Sequence, residues 1–286
     1  TVAPEGHAVT VWRRLKALVA DPNRQISGRG PSTRYSLAGA AVVRAHLATP
    51  YHQRKLALYN KAFLDAYVPN KSSYLSASER GDLNRIGKPS LPQMPAGTYA
   101  RRILEKLLVD LSWASSRMEG NTYSLLDTER LIRFGEEAAG KDRKEAIMIL
   151  NHKEAIQHLV HNLPAIGITR RDLLDIHALL SDGLLVDPAM AGRLRETGVE
   201  ITHSSYRPLD DKFEIEEEFR ILIEKAATIA DPVEQSFFLL VHVPYLQAFD
   251  DVNKRTSRIA ANVPLLKAEL APMSFVTMND RDYIDG

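Results

Sequence analysis

Apolar residues recur three and four positions apart along most of the chain from about residue 92 onward. This spacing places one apolar stripe along a helix. Over residues 98–120, for example, Ile103, Leu107, Leu111 and Ala114 fall on one face. The same periodicity, bounded by capping residues, glycines or prolines, predicts further helices over 124–140, 144–163, 172–185 and 214–229. We therefore expect a mainly α fold.

The segment 192–209 departs from this helical pattern. Val199 and Ile201 alternate with polar neighbours after Gly198, and the segment closes on Pro208 and Leu209. Alternation of this kind, with glycine and proline at its ends, predicts a short β-hairpin. Because a lone hairpin is only marginally stable, we expect it to lean on the helical core as a flap.

The first 45 residues have a different character. Residues 7–22 fit an amphipathic helix with Val11, Leu15 and Leu18 inward, and two short strands are predicted around residues 28–31. A helix followed by a basic hairpin resembles part of a winged helix-turn-helix, and six basic side chains there are available to DNA phosphates: Arg13, Arg14, Lys16, Arg24, Arg29 and Arg34. The alternative is a charged surface helix with a surface hairpin. Residues 46–97 are expected to form a helical connector.

Composition excludes several classes of protein and site. The 286 residues carry 37 Lys and Arg against 36 Asp and Glu, so no global field attracts nucleic acid or an anionic membrane. There is no cysteine, which excludes disulfides and thiolate metal sites. The longest apolar run, Phe237 to Leu246, is too short to span a bilayer, and the start has no signal-peptide pattern. We expect a cytoplasmic protein without a membrane segment.

The run QAFDDVNKRTSR, from Gln247 to Arg258, concentrates charge between two predicted helices. It lies where the second helix begins, and free N–H groups at a helix N-terminus favour anions. Arg255 and Arg258 are three residues apart and share a face, so their guanidinium groups can hold several phosphate oxygens. A neighbouring acid, Asp250 or Asp251, suits Mg²⁺ bound together with substrate phosphates. The alternative is an acidic cap followed by solvated basic residues.

This run resembles the Fic signature HPFx(D/E)GN(G/K)RxxR. Proteins of the Fic family have a helical fold, bind ATP, and transfer AMP or occasionally another phosphate-containing group to protein hydroxyls. The resemblance implies ATP and Mg²⁺ as cofactors and Asp251 as the metal ligand. It further implies Arg255 and Arg258 as catalytic residues, with Gln247 at the position of the family's catalytic histidine. The nucleotide-binding residues that it implies are Phe249, Asn253, Lys254, Arg255 and Arg258.

A second motif and a flap support the same resemblance, which covers roughly residues 98–278. SSRMEG matches the inhibitory motif (S/T)xxxE(G/N) through Ser115, Glu119 and Gly120. The resemblance implies an inhibitory helix over 112–121 whose Glu119 pairs with Arg258 and blocks placement of the γ-phosphate. It also implies that segment 192–209 is the target-positioning flap, within a Fic-type helical bundle over 98–286 that follows the winged-helix-like segment 1–45.

Two departures from the signature bear on chemistry. Gln247 cannot act as a general base, and general-base help is typically worth about 10²–10⁴-fold. Val252 replaces a glycine and restricts a backbone that must curl around phosphates. Lys254 gives an ending shared with the Doc branch, which transfers phosphate.

The histidines offer no obvious replacement base. His242 is expected to be a packed helix residue, and His152 and His177 are expected to pack within amphipathic helices. His203 in the flap is the better candidate for a general base from outside the signature, although flap histidines are usually surface residues. No cluster of histidines and carboxylates has metalloenzyme spacing.

Two functions follow from these observations. The first is a protein adenylyltransferase with an atypical active site, acting on a Ser, Thr or Tyr hydroxyl of a protein substrate and autoinhibited by Glu119. The second is a catalytically weak nucleotide-sensing regulator that binds DNA or a protein partner. A homo-oligomer is compatible with either.

Overall fold

The computed structural model describes residues 26–27, 34–35, 48–88 and 98–278. The described chain falls into two compact units. The larger comprises residues 59–199 and 208–277, and the smaller takes in the described residues up to 58 together with 200–207 and 278. The predicted helix over 7–22 and its basic residues lie outside the described residues, as do residues 46–47 and 89–97 of the helical connector predicted over 46–97.

The larger unit is mainly helical, as the periodicity predicts. Its helices are α1 (Lys61–Asp65), α2 (Ala77–Gly87), α3 (Thr98–Arg117), α4 (Leu125–Phe134), α5 (Arg143–His161), α6 (Arg170–Ser181), α7 (Lys212–Thr228), α8 (Pro232–Leu246), α9 (Asn253–Ala260) and α10 (Asn262–Lys267). Helix α3 packs along α5, and α9 packs against α6, α8 and α10. Helix α9 is therefore enclosed by the bundle, and seven of its eight residues are buried.

Local sequence explains where several helices begin and end. Ser124 caps α4 by accepting from the backbone N–H of Asp127, as expected. The helix ends at Phe134 and not near residue 140, because Gly135 takes a left-handed conformation with φ 72°. Helix α6 likewise ends at Ser181, before the left-handed Gly183, and so does not reach residue 185.

The smaller unit holds the short strands. The two strands predicted around residues 28–31 are present as β1 (Ile26–Ser27) and β2 (Arg34–Tyr35), which pair antiparallel. In segment 192–209 the described strand residues are β4 (Tyr206–Arg207), and they pair in parallel with β3 (Ala57–Leu58). A turn at 201–204 reverses the chain, with Ser204 donating to the carbonyl of Ile201 at 3.1 Å. Segment 192–209 thus contributes one strand to a parallel pair and does not form the predicted hairpin within itself, since so short a segment offers few cross-strand pairs.

Candidate active site

The loop between α8 and α9 is bracketed by two residues in the left-handed region. Gln247 ends α8 with φ 52° and ψ 51°, and Val252 precedes α9 with φ 65° and ψ 6°. Neither is a glycine, and Val252 is β-branched, so both conformations are costly and must be held by their surroundings. Val252 nevertheless takes the left-handed conformation that glycine would favour, and it is 2 % exposed.

Asn253 holds this loop together. Its side-chain amide donates to the carbonyl of Phe249 at 2.8 Å and accepts from the N–H of Phe249 at 3.0 Å. The same amide nitrogen donates to Oε1 of Gln247 at 3.0 Å. Asn253 is thus a residue that shapes the loop, and its side chain is 97 % buried within it.

Both ends of the Gln247 side chain are engaged. Its Oε1 accepts from Asn253, and its Nε2 donates to the carbonyl of Pro244 at 2.7 Å. An amide has no proton-accepting nitrogen, and here its oxygen is occupied as well. At the position of the family's histidine, the Gln247 side chain is therefore used for hydrogen bonds within the loop and the end of α8.

Arg255 brings a buried cation to the first turn of α9. The residue is 4 % exposed, and its Nε and Nη1 have no hydrogen-bond partner among the described residues. Its Nη2 lies 3.4 Å from Oδ2 of Asp251, whose side chain is 68 % exposed. Burial lowers the pKa of Arg255, while Asp251 and Glu119 oppose that shift. Buried N–H groups without partners are rare, so this guanidinium is suited to an anionic ligand.

Arg258 is fully buried and paired with Glu119, as the sequence predicts. Its Nη2 donates to Oε1 of Glu119 at 2.5 Å, and the Glu119 side chain remains 22 % exposed. Burial alone raises the pKa of Glu119, but the Arg258 guanidinium, with Lys254 and Arg255, lowers it below its ordinary value. The carboxylate is therefore charged at neutral pH. Lys254 itself is half-buried.

The acidic motif lies at the end of a long helix. Helix α3 ends at Arg117, so the expected inhibitory helix over 112–121 is the last turn of α3 followed by a turn at 118–120. Glu119 and Gly120 donate to the carbonyls of Ser116 and Arg117, both at 2.9 Å. Gly120 has φ 89°, a conformation that favours glycine.

A buried chain of hydrogen bonds supports Arg258 from behind. Arg258 Nε donates to Oγ of Ser115 at 2.9 Å, and Ser115 Oγ lies 2.7 Å from Nε2 of His152. His152 Nδ1 lies 2.8 Å from the carbonyl of Met148, so this nitrogen carries the proton and Nε2 accepts from Ser115. Burial lowers the pKa of His152 to about 3, which keeps the ring neutral. His152 is thus more than the packing residue that its helix position predicts.

Phe249 and His177 support the loop from the other side. The two rings stack with centroids 3.9 Å apart and planes within 8°. His177 Nδ1 accepts from the N–H of Gly192 at 3.0 Å, which leaves Nε2 to donate to the carbonyl of Asp251 at 3.2 Å. Burial lowers the pKa of His177 to about 4.

The other two histidines stand apart from this arrangement. His242 is buried, and its Nε2 lies 2.6 Å from the hydroxyl of Tyr74, as suits the expected packed helix residue. His203 is left-handed with φ 59° and makes an edge contact with Tyr51 in the smaller unit.

Arg195 was not predicted from the sequence. It is 1 % exposed and donates through Nε to the carbonyl of Gln247 at 2.6 Å. Its backbone N–H donates to the carbonyl of Ala248 at 3.0 Å. No short motif marks such a residue, because its partners are backbone carbonyls that are distant in sequence.

The residues suit a nucleotide with Mg²⁺ better than a metal held by protein alone. No group of three or more His, Asp or Glu within the described part of the chain could hold an ion. Mg²⁺ bound with phosphates needs only one or two carboxylates, and Asp251 offers an exposed one beside the unpartnered nitrogens of Arg255. No helix within the described ranges is long and apolar enough to cross a membrane.

Residues 167–265 match the model of the Fic/DOC family. Protein adenylyltransferase Fic of Nematostella vectensis is 25 % identical over 246 residues, which cover 85 % of this chain and 56 % of that protein. Protein adenylyltransferase Fic of Culex quinquefasciatus is 27 % identical over 210 residues, covering 72 % and 41 % respectively. The chain thus spans about half, or less, of the length of these curated relatives.

Solved structures share the fold at low sequence identity. A Fic domain containing signaling protein from Bacteroides thetaiotaomicron aligns with a TM-score of 0.54 at 16 % identity, covering 72 % of this chain and 88 % of that one. A Fic family protein from Desulfovibrio desulfuricans aligns with a TM-score of 0.52 at 18 % identity, covering 69 % and 67 %. Together with the Fic/DOC family match over residues 167–265, these likenesses show that the chain has a Fic-type helical fold.

Proposed function

We propose that this protein binds ATP with Mg²⁺ and is a protein adenylyltransferase, transferring AMP to a Ser, Thr or Tyr hydroxyl of a protein. The relatives named protein adenylyltransferase support this chemistry. The observation that carries the proposal is the pair of buried arginines on α9, of which one has unpartnered N–H groups and the other is held by Glu119.

The start of α9 is suited to phosphate. Val252 precedes the helix and has no side-chain group that could cap it, and no capping bond is made. The first N–H groups of a helix need partners from outside it, and the helix dipole favours an anion there. Arg255 adds a guanidinium within that same turn. Together these groups would hold the phosphates, with Asp251 as the protein ligand to Mg²⁺ and Phe249, Asn253 and Lys254 completing the nucleotide site.

Glu119 would gate the site. While its carboxylate holds Arg258, that guanidinium is withheld from a phosphate, and the charge of a γ-phosphate is repelled. Ser115 orients Arg258 through Nε, and Gly120 allows the turn that carries Glu119. We therefore expect weak nucleotide binding as long as the Glu119–Arg258 pair persists.

Gln247 would limit the chemical step. Abstraction of the target hydroxyl's proton gains from a base, and Gln247 has none to offer. Transfer would then depend on charge stabilisation by Arg255, Arg258 and the metal, which is often the largest catalytic contribution.

Calorimetry with ATP and Mg²⁺ tests the nucleotide site. Glu119→Gln and Glu119→Gly should bind ATP about 10-fold more tightly than the wild type, the size of a typical coupling between sites. Arg258→Ala should abolish that gain. Glu137→Gly, in an exposed loop after α4, is the control for replacing an acid by glycine and should change nothing.

The absence of any effect would count against the proposal. If millimolar ATP neither binds nor raises the melting temperature of any of these variants, the nucleotide assignment is wrong.

A second candidate is a nucleotide-sensing regulator without transfer activity. The engagement of both ends of Gln247 favours it, because the side chain is built into the loop. Such a regulator would bind DNA or a protein partner through residues 1–45, and either candidate could act as a homo-oligomer in the cytoplasm. ATP binding without any covalent adduct would favour this candidate.

A further inference from the structure

We infer that Arg195 is a positioning residue that couples the base of the flap to the backbone of Gln247. It acts through Gln247 and contacts no substrate group itself. The inference rests on hydrogen bonds and burial within the larger unit. Its link to catalysis rests on the proposed function.

The Arg195 guanidinium binds three backbone carbonyls. Nε donates to Gln247 at 2.6 Å, Nη1 donates to Thr197 at 2.6 Å, and Nη2 donates to Leu209. The Arg195 N–H adds a bond to the carbonyl of Ala248 at 3.0 Å. The guanidinium donates from three different nitrogens in fixed directions, and lysine, whose donors share one nitrogen, cannot reproduce that geometry.

Two of these carbonyls flank residues 200–207, the part of the flap that belongs to the smaller unit. The chain leaves the larger unit after Val199 and returns at Pro208, so Thr197 and Leu209 stand just before and just after that excursion. The two ends run close together, because a Cβ on Gly198 would lie 3.3 Å from the Cβ of Asp210. Arg195 therefore links the two chain segments that flank residues 200–207, and these two segments are the base of the flap.

The third carbonyl belongs to a residue in a costly conformation. Gln247 has φ 52° and its N–H donates to Val243 at 3.3 Å, a long bond. A left-handed residue other than glycine persists only when its neighbours fix it. The hydrogen bond from Arg195 Nε helps to fix Gln247 by holding its carbonyl oxygen. A disturbance at the base of the flap should accordingly reach the residue at the histidine position.

Amide hydrogen exchange without nucleotide tests this coupling. In Arg195→Lys, peptides covering 244–252 and those covering 196–210 should both exchange about 10-fold faster, since bonds to a charged donor are lost. Peptides from α5 should be unchanged. Arg193→Lys, two residues earlier and exposed, is the control and should match the wild type.

A disulfide distinguishes the effect of Arg195 on the base of the flap from its effect on Gln247. The chain has no cysteine, so Gly198→Cys with Asp210→Cys introduces a single possible bridge across the base of the flap. In the Arg195→Lys background the oxidised protein should regain protection from exchange at 196–210, while peptides covering 244–252 should still exchange fast. The disulfide also keeps the variant folded if Arg195→Lys alone is unstable. Recovery at both segments would overturn a direct role of Arg195 on Gln247, as would acceleration confined to 196–210 in the first variant.

A split between binding and turnover links the coupling to catalysis. In a Glu119→Gly, Gln247→His background, Arg195→Lys should leave the Kd for ATP within about 3-fold, because its hydrogen bonds to the carbonyls of Gln247, Ala248, Thr197 and Leu209 involve none of the proposed nucleotide-binding residues. Its kcat for self-modification should fall about 10²-fold, the effect of misplacing a reacting group. Equal losses in Kd and kcat would overturn the positioning role. If no background variant binds ATP, the proposed function fails while the exchange result still decides the coupling.

Discussion

At the scale of single residues, the loop before α9 shows where the sequence predicts well and where it does not. Val252 in place of glycine predicts a restricted backbone, yet the structure has valine in the left-handed conformation that glycine would favour. The Glu119–Arg258 pair also follows from two motifs. Arg195 and the Ser115–His152 chain do not, because their partners are backbone groups or residues that only the fold brings together.

The conformation of Val252 can be tested by comparing two truncations. Val252→Gly and Val252→Ala remove similar buried surface, but only alanine keeps the penalty for positive φ. We expect the glycine variant to be more stable by about 1 kcal/mol in urea unfolding. Ala155→Gly in the interior of α5 supplies the usual order, in which glycine is the less stable by about 1 kcal/mol. The same order at both sites would contradict the assigned conformation.

At the scale of elements, helical periodicity predicts the bundle well and its boundaries less well. Helix α4 stops at Phe134 because Gly135 takes a left-handed conformation. This glycine ends the helix although the helical pattern of the sequence continues toward residue 140. Helix α9 begins at Asn253, within the charged run, because the side chain of Asn253 folds back on the loop and leaves its backbone helical. The flap's strand pairing joins residues about 150 positions apart and has no local signal.

The loop between α8 and α9 gives a prediction about group transfer. Gln247→His in the Glu119→Gly background should increase self-modification by ATP by about 10²–10⁴-fold, provided that the imidazole reaches the hydroxyl. Intact-mass spectrometry should reveal added AMP, whereas an added phosphate would indicate the pose of the Doc branch.

Gln235→His, on the same helix α8 but away from the loop, is the matched control and should have no effect. If no variant gains mass from ATP, the transferase reading is contradicted and the sensor reading is favoured.

At the scale of the whole molecule, three buried histidines tie stability to pH. Burial lowers the pKa of His152 and His242 to about 3 and that of His177 to about 4. Below pH 6.5 the unfolded chain binds protons that the folded chain does not, so the free energy of unfolding falls as pH drops. Each group costs at most about 1.4 kcal/mol per pH unit. Glu218 and Glu234, whose pKa values burial raises, act in the opposite direction.

Urea unfolding at several pH values between 7.5 and 5 should therefore show a steep loss of stability. His242→Gln should make the slope shallower, whereas His161→Gln, an exposed residue near the end of α5, should leave it unchanged. A slope that is the same in all three proteins would mean that His242 titrates normally in the folded state.

Glu119 lies on a single turn beyond the end of α3. The stability of this turn is therefore separate from the stability that α3 gains by packing in the core. Leu107, Leu111 and Ala114 anchor α3 in the core, while the turn itself is held by short-range backbone bonds and a glycine. Unwinding that turn would free Arg258 without lifting the helix from the bundle. If Glu119 gates nucleotide binding as proposed, one or two substitutions in this turn would change the strength of the gate and leave the packing of the helix unchanged.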